Sequence, residues 1–221
     1  MVTLKWSLVF DKMTSLLQGC AVTMEISVLT LIFGTILGVM LALMRDSHIK
    51  VVSRLAQLYI WIWRGTPLMV QAFLIYFGLP NLGITFSAMT AGVLSMSLNT
   101  GAYIAEIVRS GIQSIHKGQL EAAMSLGFSK WESMVRIIIP QAIRNILPVI
   151  GNEFVTLIKE SSQVSVIGMA DLMYTAATIQ GISFQPFPPL VIVAVYYFVM
   201  TFFVSSCLRV LEIRLKVRSV R

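Results

Sequence analysis

Apolar positions along this chain gather into long runs separated by short charged connectors. Residues 20–44 are apolar apart from Glu25 and a few hydroxyls, which exceeds the about 20 residues that cross a hydrocarbon core. With interruptions, the same pattern returns at 55–79, 86–108, 134–158 and 187–208, which predicts five transmembrane helices. Ahead of them, Leu4, Leu8, Met13, Leu16 and Leu17 alternate with polar residues. That spacing predicts an amphipathic helix over 4–17, lying at the interface. The second run is broken by Arg64-Gly65-Thr66-Pro67; Pro67 removes a backbone donor and Gly65 loosens the helix, so a kink or break is expected. Between the fourth and fifth runs, Val164, Ile167, Leu172, Ala176 and Ile179 approach helical spacing in a half-polar segment.

The long polar interruption between two apolar runs is 121–140, EAAMSLGFSKWESMVRIIIP. Its charges, Glu121, Lys130, Glu132 and Arg136, with Lys117 just upstream, place it in water. Residues 119–126 read as a short helix, Gly127 suits a C-terminal turn, and Ser129 caps a second helix. A helix, Gly hinge, helix unit therefore occupies a loop spanning 117–140.

Composition agrees with the pattern. The chain is 57% hydrophobic and 12% charged, with mean hydropathy +0.82, the signature of an integral membrane protein. A net charge of +7 raises nucleic acid as a partner, but the basic residues sit at the ends of apolar runs and form no face interleaved with stacking aromatics. Their placement is topological. The connector with Arg45, Lys50 and Arg54, the polar loop with Arg109, Lys117, Lys130 and Arg136, and the tail from Arg209 hold twelve of the seventeen Lys and Arg residues. By the positive-inside rule these segments face the cytoplasm, with the N-terminus outside and five crossings between. The first nineteen residues lack a signal-peptide core, so the first span is expected to stay as an anchor. Cys20 and Cys207 are far apart and lack metal-ligand spacing.

No enzyme constellation is present. There is no phosphate-binding loop and no His-Glu-x-x-His, and His48 and His116 both fall outside the spans. No catalytic, metal or cofactor site is predicted. The candidates for a translocation path are instead the polar groups within the spans. An ionisable residue in hydrocarbon costs at least ~2.5 kcal/mol and faces inward, which singles out Glu153, with Asn152 beside it and Asn99 at similar depth. They could meet the ammonium of a zwitterion or a cationic side chain; equally, Glu153 could pair with a neighbouring span and Asn99 could brace two helices. Glu25 reads as snorkelled or paired, Arg64 as an anchor of the broken helix on carbonyls or lipid phosphate, and Glu106 with Arg109 as a local pair one turn apart.

Glu121-Ala-Ala, then Gly127, Ile137 and Pro140 resemble the EAA loop of permease subunits in ABC importers, with Ile139 where Leu is usual. Arg64-Gly65-Thr66-Pro67, the run from Asn99 to Glu106, and Arg109, Gly111, Ile112, Ser114, Ile115, Gly118 and Gln119 extend the likeness to the polar amino acid permeases, the histidine, glutamine, arginine and cystine permease group. The resemblance implies a type I importer fold of the methionine-permease kind, all-α and integral to the bacterial cytoplasmic membrane. It implies two permeases, identical or closely related, around one path for a polar amino acid. It also implies a dimer of ATPase subunits that binds ATP and magnesium outside this chain, and an extracytoplasmic binding protein that delivers the substrate. Glu121, Ala122, Ala123 and Gly127 are then the expected ATPase-coupling surface. One segment departs: Glu160-Ser161-Ser162-Gln163 stands where the family often has an acid or Asn followed by Thr-Ser-Leu.

Two other classes compete. A self-sufficient secondary transporter or channel would explain mid-span polar groups, but it leaves the polar loop unexplained and has no room for an inverted repeat in five spans. A membrane assembly or sensor protein would dock something other than an ATPase on the loop. ATP-dependent uptake separates the first of these from the importer reading, and the loop's partner separates the second.

Overall fold

The computed structural model describes residues 10–217, and every regular element among them is helical. The first helix, α1, runs Met13–Arg45; its 33 residues span roughly 50 Å at 1.5 Å per residue. Met13 to Leu17 are its opening turns and not part of a separate interface helix, while residues 4–9 of that expected element lie outside the described residues.

The second apolar run is broken outright. Helix α2, Lys50–Gly65, and helix α3, Leu68–Phe73, extended by turns to Leu82, meet at 105°. A widened turn follows α3 at Leu74–Gly78, two residues before Pro80. The same device recurs at Met134–Ile138, two residues before Pro140. In each case the proline cannot donate to the carbonyl four residues back, and the preceding turn opens.

Helix α4, Ala88–Gln113, is followed by the short α5, Lys117–Ser125, and α6, Lys130–Ser133. Then come α7, Ile139–Val164, α8, Leu172–Ser183, and α9, Phe187–Val217. Met13–Arg45, Lys130–Ile167 and Phe187–Val210 are long and apolar enough to cross a membrane, and the bent pair adds a fourth. Helix α4 has the length, at 26 residues, but Ser95, Ser97, Asn99 and Thr100 lower its hydropathy. All four are buried, so α4 turns its polar side to neighbouring helices.

The core forms where Ile26 of α1, Ala72 of α3, Met96 of α4 and Leu157 of α7 meet. Lipid offers no hydrophobic drive for helix association, so close approach of small residues takes its place. A Cβ on Gly38 of α1 would lie 2.6 Å from Ile104, and one on Gly101 of α4 would lie 2.7 Å from Leu37. Helices α1 and α4 therefore pack at a separation that only glycine allows. Helix α8 lies against the far end of this bundle. Its cap, Asp171, accepts from the Tyr174 N–H at 2.8 Å, while the Leu172 N–H donates to Thr23 Oγ1 of α1 at 3.2 Å. Leu172, Ala176 and Ile179 are buried, as their spacing predicts.

Candidate functional site

The polar loop is a pair of short helices closed by local hydrogen bonds. Helix α5 starts on His116, whose Nδ1 accepts from the Gly118 N–H at 3.1 Å. It ends in a Schellman turn: the Gly127 N–H donates to Met124 O at 3.0 Å, and the Phe128 N–H to Ala123 O at 3.2 Å. Gly127 sits at φ +90°, a conformation that side chains resist, with open space around it. Its role is to reverse the chain. Helix α6 then opens with a capping box, in which Ser129 Oγ accepts from the Glu132 N–H at 3.2 Å and the Ser129 N–H donates to Glu132 Oε2 at 3.0 Å. The Ser129 hydroxyl also donates to this oxygen, and these bonds hold the Glu132 carboxyl below the usual carboxylate range.

The four expected coupling residues divide by exposure. Glu121, Ala122 and Gly127 are exposed, whereas Ala123 is buried and secures α5 from beneath. Beside them stand Leu126 and Trp131, 79% and 75% exposed. Sequence reasoning passed over both, although two large apolar residues within a charged loop are a recognisable signal for a covered surface.

At the break between α2 and α3, carbonyls that a continuous helix would satisfy are left open. Gln71 Nε2 donates to Trp63 O, Thr66 O and Thr66 Oγ1 at 2.8, 3.0 and 2.8 Å. Asn99 Nδ2 donates to Trp63 O at 3.0 Å and to Gln71 Oε1 at 2.9 Å. Irregular backbone at membrane depth requires such internal partners. Of the two readings of Asn99, its amide hydrogens fulfil the bracing one.

Charge gathers where α1, α2 and α4 converge. Arg45 pairs with Glu106 Oε1 at 2.6 Å, Arg64 with the same oxygen at 3.3 Å, and Arg109 with Glu106 Oε2 at 3.9 Å. The expected local pair is thus the longest of three contacts, and the main partner comes from 61 residues away. Among the described residues Arg64 donates to no carbonyl; its guanidinium lies over the Tyr103 ring, 5.3 Å from the centroid.

Glu153 is half-buried in α7, and among the described residues no side chain hydrogen-bonds or ion-pairs with it. Of the two readings of Glu153, pairing with a neighbouring span finds no partner among the described residues. Asn152 lines a cavity of about 440 Å³ shared with Ser205, Ser206 and Arg209 of α9. Glu25 is exposed on α1. The His, Cys, Asp and Glu side chains among the described residues form no group of three that could hold a metal.

A bundle of apolar helices with buried polar braces and an exposed, charged helical loop has the make-up of an integral membrane component. Residues 34–217 match the family described as the binding-protein-dependent transport system inner membrane component, and the chain belongs to that family. The arginine transport system permease protein ArtQ of Bacillus subtilis is 38% identical over 216 residues, which cover 97% of this chain and 99% of that one. A crystal structure of an amino acid ABC transporter with histidines superposes with a TM-score of 0.93 at 44% identity, over 96% of this chain and 100% of that one. The MetNI methionine ABC transporter, in an inward-facing form, shares the fold at a TM-score of 0.66 and 18% identity, over 90% of this chain and 97% of that one.

Proposed function

We propose that this chain is the permease subunit of an amino acid ABC importer and works by alternating access driven by a separate ATPase. The observation that carries this reading is the loop from Lys117 to Ser133. It is locked by a Schellman turn and a capping box, and it leaves Glu121, Leu126 and Trp131 exposed. A rigid, partly apolar double helix of this kind suits transmission of force from a docked protein. The relatives named for arginine transport and for an amino acid ABC transporter support the substrate class.

In this reading ATP and magnesium are bound by the ATPase subunits, a second permease completes the path, and a binding protein delivers the amino acid. The chain crosses the inner membrane five times, counting the broken pair and α4, with the loop and C-terminus in the cytoplasm. Glu121, Ala122 and Gly127, with Leu126 and Trp131, form the docking surface above buried Ala123. Glu153, with Asn152 nearby, faces the path. Its unpartnered carboxylate would meet an ammonium or a cationic side chain, while Asn99 shapes the broken helix behind it. Coupling of this kind requires that the ATPase bind the two permease states with different free energy.

The test is affinity purification from native membranes with wild type and Gly127→Asp in parallel. Wild type should recover an ATPase and show ATP-dependent uptake in vesicles, and Gly127→Asp should lose both at normal expression. Uptake by wild type alone, without an ATPase, would overturn the reading.

A further inference from the structure

Three guanidiniums share the single carboxylate of Glu106, so the cluster of Arg45, Arg64, Arg109 and Glu106 carries two uncompensated positive charges. Beside it, between α4 and α7, is a cavity of about 400 Å³ lined by Arg64, Tyr103, Glu106, Ser110, Asn145 and Val149. Arg64 is held from two sides, by the Glu106 carboxylate and by the Tyr103 face. Among the described residues these are its contacts, which leaves N–H donors of its planar fork for a ligand. A positive group fixed in this way, at the edge of a cavity with hydroxyl and amide neighbours, recognises an anion of carboxylate or phosphate type.

The cavity's position indicates which anion. Asn145 and Val149 line it from α7, and Glu153 follows Val149 by one turn. Ile146, which packs on Gly111 of α4, stands seven residues before Glu153 and shares its face. Glu153 therefore lies on the α4 side of α7, roughly 12 Å along the axis from Asn145 at 1.5 Å per residue. An unpartnered carboxylate at mid-helix and a guanidinium of a net-positive cluster are spaced to be met in turn by the two ends of a zwitterion.

We propose that the Arg64 cavity is an inner subsite that takes the α-carboxylate of the amino acid after it has passed Glu153. The proposal rests on the amino acid importer reading. A lipid phosphate offers the same chemistry at such a place, and the test separates the two.

Ser110 is exposed on the cavity wall and takes no part in the ion cluster. Ser110→Glu places a competing carboxylate there, and Ser110→Gln places a neutral group of the same size. The complete transporter, purified with its ATPase and binding protein, is reconstituted with trapped ATP, and uptake of tritiated arginine and tritiated glutamine is measured per ATP hydrolysed. The Glu variant should fall about tenfold below the Gln variant, the loss expected for one charge-assisted contact. Arg64→Gln should fall likewise, with partial recovery in Arg64→Lys. Equal uptake per ATP by the two Ser110 variants would overturn the proposal, whether or not the Arg64 variants fold. The comparison is repeated in vesicles of phosphatidylcholine alone and with phosphatidylglycerol added. A difference that appears only with the anionic lipid would assign the cavity to a headgroup and overturn the carboxylate assignment. Absence of ATP-dependent uptake by wild type would instead sink the importer reading beneath it.

Discussion

At the scale of single residues, the decisive polar groups are those that repair the break in the second apolar run. Gln71 donates to two open carbonyls, Thr66 O and, together with Asn99, Trp63 O, and it supplies one of the two acceptors for Asn99. Replacing it with Leu strips Thr66 O of its donor and takes one of two partners from Trp63 O and from the Asn99 amide, where water is scarce. Gln71→Leu should therefore cost about 1–3 kcal/mol and lower the thermal unfolding midpoint of the protein in nanodiscs, whereas Leu74→Ile at an exposed position should leave it unchanged. Equal midpoints for the two variants would mean the break is held by packing alone. Glu153 presents the opposite case, a carboxylate with no partner to repair. Glu153→Gln should reduce ATP-dependent uptake of a cationic amino acid about tenfold while the affinity of the isolated binding protein stays the same. Unchanged uptake would remove Glu153 from the path. Local spacing shows that Glu153 and Asn99 are polar at mid-span, and no more than that. Gln71 escapes notice because a lone amide in LMVQAFLIYF reads as a tolerated interruption. Glu106 is only partly legible for a related reason: periodicity sees Arg109 three residues on, and that pair forms, but not Arg45, which only the crossing of α1 and α4 brings near.

The elements themselves divide by how local their causes are. The polar loop was almost fully legible, because a Schellman turn and a capping box are built from residues within six positions of one another. The broken helix was legible in place but not in angle, since Gly65 and Pro67 mark the break while the 105° bend depends on the braces from α4. Local causes also make the loop testable. The Glu132 carboxyl titrates below its unfolded value because Ser129 donates to the charged form. Its contribution to the loop is therefore complete above the unfolded pKa of about 4.3, and it is lost as pH falls through the folded value. Hydrogen exchange of amides 129–133, corrected for intrinsic rates, should show protection that holds from pH 7 down to the unfolded pKa and fades only below it, and Glu132→Gln should flatten that dependence. Protection that ignores pH in wild type would show that the box does not hold α6 in place.

For the whole molecule, the question is how a force on the loop reaches two helices of 26 residues each without being dissipated at its ends. Charge placement and hydropathy indicate a membrane bundle, but they contain nothing about which helices move together. Packing does. A Cβ on Gly111 would stand 2.2 Å from Ile146 Cγ1, so the end of α4 accepts the Ile146 side chain of α7 as a knob in a hole. One turn along, Asn145 Nδ2 donates to Ser114 Oγ at 2.9 Å. Everything from Ile115 to Arg144 is therefore a loop whose two ends are clasped to each other, and displacement of the loop moves α4 and α7 as one body. Gly111→Ala should force Ile146 out of its seat at a cost of about 1–3 kcal/mol, and uptake per ATP should fall several-fold while hydrolysis continues. Ile146→Ala empties the same seat at a cost of about 2–5 kcal/mol. The double variant restores the fit, so its uptake per ATP should exceed that of either single variant. If the two losses simply add, the residues are independent and the clasp is not the joint through which the loop drives the path. Recovery in the double variant would locate the mechanical connection at a glycine that no charge or periodicity in the chain distinguishes from its thirteen others.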